Sequence, residues 1–321
     1  MTAMTMVKAL NSALDNAMEK DDSIILLGED VGIDGGVFRV TDGLLNKYGK
    51  SRVMDTPLAE LGIIGFGIGM AMEGLKAIPE IQFQDFLYTG MDQIINQMAK
   101  LRYRTNGDYT LPMVLRTPYA GGVHGGPYHS QSGEVYFTHT QGLTVVTPSN
   151  PYDAKGLLLS SIELNDPVIF LEPKRSYFIK GEVPEDYYKI DLRKANVVKE
   201  GDDLTIITYG PSVPLVNNTV NKNNVNADII DLRTLNPFDL DTILKSVKKT
   251  GKVLIVHEAP KMFGVGAELA ATIAERAIDY LSAPILRVTG LDIPVPFALE
   301  DYYVPNERRI MEAVNKLLNY Q

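Results

Sequence analysis

Two α/β domains with mostly parallel sheets are what this sequence predicts, and three observations carry that prediction. Short β-rich apolar runs alternate with segments of helical period along the chain. At 321 residues the chain is longer than one hydrophobic core usually organises. The alternation also breaks once. Between Pro173 and Asp191 two prolines, a glycine, four tyrosines or phenylalanines and mixed charges follow no sustained period, as an interdomain connection would. The expected domains are residues 1–185 and 186–321.

Each element has its own warrant. Val7, Leu10, Leu14 and Ala17/Met18 recur at helical spacing behind Thr5, a residue type that caps helix N-termini. Ser23–Gly28 is a near-continuous apolar run, the pattern of a parallel strand covered on both faces. Further strands are expected at Ala77–Phe83, Met113–Thr117, Thr144–Thr147 and Pro167–Glu172. A long helix is expected over Met91–Tyr103, with Ile94, Ile95, Met98, Ala99 and Leu101 on its apolar side. Another runs from Tyr152 to Leu164 behind Ser149–Asn150–Pro151, where proline suits the first turn. Beyond the break, strands are expected at Leu204–Tyr209, Ala227–Leu232, Lys252–His257 and Ile285–Val288. Helices are expected around Ser212–Val220, Asp239–Lys248, Gly266–Leu281 and Asn306–Tyr320.

Composition removes several function classes. With 31 basic and 40 acidic residues the net charge is -9, and no basic run of five or more residues favours nucleic acid. The absence of cysteine excludes disulfide scaffolds, thiolate-zinc and iron-sulfur sites and cysteine nucleophiles. The longest apolar stretch, Leu61–Met72, has 12 residues and four glycines, short of the roughly 20 that span a membrane. Early acidic residues (Asp15, Glu19, Asp21, Asp22) do not fit a secretory leader, so a cytoplasmic protein is expected.

Ligands of open α/β sheets gather at the carboxyl ends of strands, and three such regions stand out. The first is Glu29–Asp30–Val31–Gly32 with Gly35–Gly36, readable as a plain exposed loop. The second is Asp55–Thr56–Pro57–Leu58–Ala59–Glu60, leading into Gly65, Gly67 and Gly69. That spacing fails the dinucleotide fingerprint, which needs glycine where Met70 stands, and the glycines fall inside a helix, where close packing accounts for them. Glu60 heads this apolar segment. It is either a helix-dipole contribution or, in a dry site, a carboxyl poised for proton sharing. The third region, Pro118–Ser132, holds four glycines with His124 and His129, and His139 follows. Gaps of five and ten residues match no helical metal-ligand spacing, and a glycine-rich loop presenting imidazole to a substrate is the better reading.

These stretches resemble the beta subunit of thiamine-diphosphate-dependent 2-oxo acid dehydrogenases, the decarboxylating first component of those complexes. The likeness covers essentially the whole chain. It is carried by Ile25–Val31, Asp55–Glu60, Glu80–Phe83, Arg102–Arg104, Tyr128–Ser132, Asp153–Leu157, Asp231–Thr234 and His257–Pro260, in order. The resemblance implies a pyrimidine-binding domain over 1–185 and a transketolase C-terminal-like domain over 186–321. It implies that Glu60 bonds the pyrimidine N1′ of thiamine diphosphate, so that the cofactor can attack a 2-oxo acid and accept electrons during decarboxylation. Leu58, Gln82 and Phe86 match positions lining the pyrimidine pocket, Phe86 standing where relatives often have tyrosine. His129 matches the histidine linked to lipoyl acylation. Leu111, Met113, Val114, Ser161, Leu164 and Asp166 align with positions that bind potassium in some relatives through backbone carbonyls.

The magnesium motif of the family, Gly-Asp-Gly followed by a distant asparagine, does not occur; Gly107–Asp108–Tyr109 and Gly201–Asp202–Asp203 fail at the third place. In the family that motif and the Mg²⁺ belong to an alpha subunit. The implied assembly is therefore an alpha2beta2 heterotetramer, completed by a lipoyl acyltransferase core and dihydrolipoyl dehydrogenase. Ile81–Phe86 and Tyr128–Ser132 look closest to the branched-chain 2-oxo acid type, with pyruvate and acetoin enzymes as alternatives. From other classes, a nicotinamide oxidoreductase lacks its glycine fingerprint, and a scaffolding subunit would not need Glu60 and His129.

Overall fold

The structure is a computed structural model that describes residues 1–320. It contains two large sheets. The first has seven strands in the spatial order Thr234–Asn236, Thr144–Val146, Val168–Pro173, Val114–Tyr119, Lys76–Glu80, Ile24–Gly28 and Val53–Asp55. All its pairings are parallel except at the edge, where Thr234–Asn236 runs antiparallel to Thr144–Val146. The second has five strands, in the order Leu286–Gly290, Val253–Pro260, Leu204–Thr208, Ala227–Asp231 and Asn196–Lys199; only the last is antiparallel. Two mostly parallel α/β sheets are thus present, as expected. The apolar runs are continuous because these strands are covered on both faces: every residue of Ile24–Gly28, Val114–Tyr119, Val168–Pro173 and Leu204–Thr208 is buried.

Helices Met6–Lys20 and Pro151–Ile162 pack on one face of the first sheet through Leu10, Leu14, Leu157 and Leu158. Thr5 caps the first, as the sequence suggests, and Asn150 caps the second, with Pro151 in its first turn. Thr5 accepts from the Lys8 amide at 3.3 Å, and Asn150 accepts from the Asp153 amide at 2.9 Å. The other face carries helix Glu60–Met72, and its core continues without interruption into the second sheet. Ile64, Leu115 and Phe137 belong to the same apolar cluster as Ile207, Ile230 and Ile255.

Three expectations need correction. Met91–Tyr103 is not one helix: a wide turn over Gln93–Met98 precedes a short helix, Leu101–Arg104, and the Ala99 amide reaches the Ile94 carbonyl at 3.0 Å. Ile94, Met98 and Leu101 nevertheless all face the core, as the helical spacing suggests. The stretch after Pro173 is not only a connection, because Lys180–Val183 pairs antiparallel with Thr2–Thr5. Close packing explains Gly67, where a Cβ would stand 3.2 Å from Met113 and Pro79, but not Gly69, which has open space beside it. The same helix leaves Leu61 and Phe66 exposed, so its apolar face is only half used.

Candidate active site

The carboxyl ends of Ile24–Gly28, Lys76–Glu80 and Val114–Tyr119 converge above a buried ionic floor. Arg116, fully enclosed, donates to Glu80 at 2.7 Å and pairs with Glu172 at 2.7 Å, while the Tyr177 hydroxyl donates to Glu172 at 2.7 Å. Buried ion pairs need such additional partners to offset desolvation. Burial pushes the Glu172 carboxyl up and Arg116 opposes it. Strand spacing here is tight: a Cβ at Gly28 would lie 2.6 Å from the Glu80 carbonyl oxygen.

On this floor stand the predicted pyrimidine-pocket residues. Glu60 is the first residue of its helix and half-buried. The Thr89 hydroxyl lies 3.3 Å from Glu60 Oε2 and donates to the Phe86 carbonyl at 2.9 Å, which links Glu60 to the segment carrying Phe86. Gln82 donates to Asp30 at 2.9 Å. Beside Asp30, Glu29 is buried; its carboxyl is held above the usual range by burial and then by the charges of Glu60 and Asp30. Thr89 was not among the residues the sequence singled out, whereas Glu29 lies in the first of the three candidate loops. Leu58, by contrast, is 78% exposed. The loop holding Glu29 is not a free one: Asp55 accepts from the amides of Gly32 and Ile33 at 2.6 and 3.1 Å.

His129 joins this group. Its ring meets Phe83 edge-on at 4.7 Å and Phe86 at 5.3 Å between centroids, so imidazole and pocket aromatic share one wall. Behind them Lys174 is buried, donates to the Ala120 carbonyl, and lies 5.7 Å above the Phe83 ring. Burial pulls its ammonium down to about 8, against the charges of Asp85, Glu258 and Glu300. The loop bearing His129 is held from the second half of the chain. The Gly121 amide donates to Glu258 at 3.0 Å, the Gly122 amide to Glu300 at 2.6 Å, and the Ser130 hydroxyl to Glu300 at 2.7 Å.

The other histidines do not gather. His124 is exposed and faces the Phe297 carbonyl at 3.1 Å. His139 lines a separate cavity of about 880 Å³ between Tyr88–Gln141 and Ala259–Tyr303, which includes neither Glu60 nor His129. His257 is fully buried against Tyr209, with a ring separation of 5.6 Å, and burial pulls its imidazole down to about 4. Among the described residues no three His, Asp or Glu side chains are arranged to hold a metal. The segments named for a carbonyl-bound cation do lie side by side, since the Leu111 amide donates to the Asn165 carbonyl at 3.0 Å. The carbonyls of Leu111 and Met113 accept the amides of Met113 and Val168, and a carbonyl has a second lone pair to offer, whereas the Ser161 carbonyl already accepts two amides, from Glu163 and Leu164. Val114 begins the adjoining strand, and Asp166 is paired with Arg102 at 2.6 Å.

Chemically the site offers a carboxylate, an amide and an aromatic face at one open mouth, a set matched to the polar edge and flat face of an aminopyrimidine. It does not offer a phosphate cradle. Arg116, Arg175 and Lys174, the cations beneath it, are committed to Glu80 and Glu172, to Glu300 and to the Ala120 carbonyl. The residues therefore fit one half of thiamine diphosphate.

Comparison with known proteins finds two family models along the chain. Residues 2–180 match the family model described as transketolase, pyrimidine binding domain, and residues 193–310 match transketolase, C-terminal domain. A 2-oxoisovalerate dehydrogenase subunit beta from Pseudomonas aeruginosa is 48% identical, over 99% of this chain and 95% of its own. A pyruvate dehydrogenase E1 component subunit beta from Acholeplasma laidlawii is 49% identical, over 99% and 98%. A mitochondrial 2-oxoisovalerate dehydrogenase subunit beta from Dictyostelium discoideum is 50% identical, over 99% and 87%. Among solved structures, a split gene transketolase, described as an inactive beta4 tetramer, superposes with a TM-score of 0.80 over 99% of each chain, at 20% identity. With relatives of both substrate types matching it end to end, this chain belongs to the beta subunits of the E1 component of 2-oxo acid dehydrogenases.

Proposed function

We propose that this beta subunit, joined to an alpha subunit in an alpha2beta2 heterotetramer, decarboxylates branched-chain 2-oxo acids and passes the acyl group to lipoyl groups of an acyltransferase core. Dihydrolipoyl dehydrogenase would then reoxidise the lipoyl group. The observation that carries the reading is the shared wall of the site: Glu60 is tied through Thr89 to the segment of Phe86, and the His129 ring packs on Phe86 itself. When bound, thiamine diphosphate supplies the carbon nucleophile and electron sink of the decarboxylation. Glu60 holds and returns a proton at the pyrimidine N1′. Phe86 offers its face to the ring, Gln82 and Leu58 border it, and His129 delivers a proton to the dithiolane sulfur as the acyl group leaves.

Mg²⁺ and the diphosphate fall to the alpha subunit, in keeping with the commitment of Arg116, Arg175 and Lys174 to partners within this chain. Leu58, Leu61 and Phe66, exposed beside Glu60, suit burial against that partner and would exclude water from the carboxyl. Leu111, Met113, Val114, Ser161, Leu164 and Asp166 remain our assignment for a potassium ion, and residue 185 our boundary between the halves. The 2-oxoisovalerate relatives favour a branched-chain substrate, and the pyruvate enzymes of similar identity supply the alternative.

Calorimetric titration of thiamine diphosphate with Mg²⁺ tests the half-site. Binding is expected only after assembly with the alpha subunit. Tight binding to this chain alone would place the diphosphate anchor here, and none in either state would end the thiamine reading. In the loaded assembly kcat/KM for 3-methyl-2-oxobutanoate should exceed that for pyruvate by about tenfold or more, since each methylene is worth about 1–3 kcal/mol in an apolar pocket. The reverse order would make this a pyruvate enzyme.

A further inference from the structure

The loop from Ala120 to Ser132 is rich in glycine, and a chain with four glycines in a dozen residues has little conformational preference of its own. Yet His129 is useful only if its ring is fixed against Phe83 and Phe86. What fixes it comes from the far end of the chain. Glu300 is completely buried, and both of its carboxylate oxygens are used: Oε1 accepts from the Gly122 amide at 2.6 Å and from Arg175 at 3.0 Å, and Oε2 accepts from the Ser130 hydroxyl at 2.7 Å. Ser130 in turn accepts from the Gly125 amide at 3.0 Å, which closes the short turn carrying His129. Glu258 secures the entry to the loop through the Gly121 amide at 3.0 Å. The ring of Phe297 then lies so close that a Cβ at Gly126, whose φ is +62°, would stand 2.6 Å from it.

We propose that Glu300, a residue of the second half, is a positioning residue for acyl transfer: through Ser130 and Gly122 it clasps both flanks of the glycine loop and so sets the place of the His129 ring. Its hydrogen bonds are charge-assisted, the stronger kind. Three donors outweigh the burial that would otherwise protonate it, and its carboxyl is held below the usual range. Glu300 touches no reacting atom; it acts through the two residues it binds. The proposal rests on the reading of His129 given above.

The test uses the assembled enzyme with Glu300→Ala, Glu300→Gln and Ser130→Ala, and with His129→Ala as the reference. Two quantities are read: amide hydrogen exchange over residues 121–130, and the ratio of lipoyl acylation to decarboxylation with an artificial electron acceptor. In Glu300→Ala the loop amides should exchange faster. The ratio should fall about 10- to 100-fold, the scale that misplacing a catalytic group by about 1 Å produces. Glu300→Gln keeps an acceptor for Gly122 and a partner for Ser130, and should restore most of the ratio; Ser130→Ala should lower it even if Glu300→Ala fails to assemble. Unchanged exchange in Glu300→Ala, or an unchanged ratio where His129→Ala lowers it, would overturn the proposal. So would equal loss of both activities in all three variants, which is the mark of general destabilisation. If His129→Ala itself left the ratio intact, the role of His129 would fall, while exchange would still decide whether Glu300 clasps the loop.

Discussion

Glu60 heads an apolar helix, and that placement made it noticeable before any fold was known. A carboxylate is unusual at the edge of so apolar a segment, whatever its task. Replacing its carboxyl by an amide keeps the shape and removes the proton it shares, so Glu60→Gln should slow decarboxylation by about 10²–10⁴-fold with an unchanged melting temperature. Near-normal turnover would contradict the assignment. Thr89 has no such signal, since one hydroxyl contact brings it to Glu60, and for Glu29, already inside a candidate loop, only strand order shows that it lies near Glu60. His257 and Asp231 show the opposite case. Both lie in motifs that marked the resemblance, and both are wholly buried. Burial pulls His257 down to about 4 from 6.5, so its stability is present above the unfolded value and lost as pH falls toward 4, at most about 3 kcal/mol. Burial, then the charge of Asp153, pushes Asp231 up to about 7 from 3.8; that stability is complete below the unfolded value and lost as pH rises through 7. The two trends oppose each other. Asp231→Asn should therefore uncover the His257 loss, so that stability falls between about pH 6.5 and 4 in the variant but stays nearly level there in the parent, as measured by denaturant midpoints.

Among the elements, legibility followed burial. Parallel strands covered on both faces were found because full coverage demands continuous apolar sequence, as in Val168–Pro173. Helix starts with a side-chain cap were found for an equally local reason. The wide turn at Gln93–Met98 was not, because its residues keep a helical apolar pattern and only the core decides how they wind. Nor could the pairing of Lys180–Val183 with Thr2–Thr5 be seen, since its partners stand at opposite ends of the first half. The ionic floor belongs to this scale too, for it joins three strands under the site. Arg116→Leu would leave Glu80 and Glu172 buried without their cation, and should cost about 3–5 kcal/mol in guanidinium unfolding. A loss below about 1 kcal/mol would mean that the two carboxyls simply take up protons at little cost.

The whole molecule is organised around sharing. Its largest apolar cluster runs through both sheets, and two second-half carboxylates, Glu258 and Glu300, hold the loop of the first. Fold class and the pyrimidine side of the site could be read from the sequence because each is written in short segments; the interlocking of the halves could not, because it joins residues far apart along the chain. At the outer surface the uncovered helix face beside Glu60 should be where the partner subunit is lost first. Phe66→Glu is expected to leave this chain folded, by circular dichroism, yet prevent copurification with the alpha subunit; undiminished assembly would place that interface elsewhere.

One strand has a consequence for how the chain comes to be folded. Thr234–Asn236 closes the edge of the seven-stranded sheet, although it lies well beyond the first half in sequence. During synthesis the first 185 residues emerge before the strand that covers Thr144–Val146, and they present an open, pairing-competent β edge until residue 236 has left the ribosome. A truncation ending at residue 185 should accordingly be recovered in aggregates or on holdase chaperones, and supplying the second half as a separate chain during expression should return it to the soluble fraction.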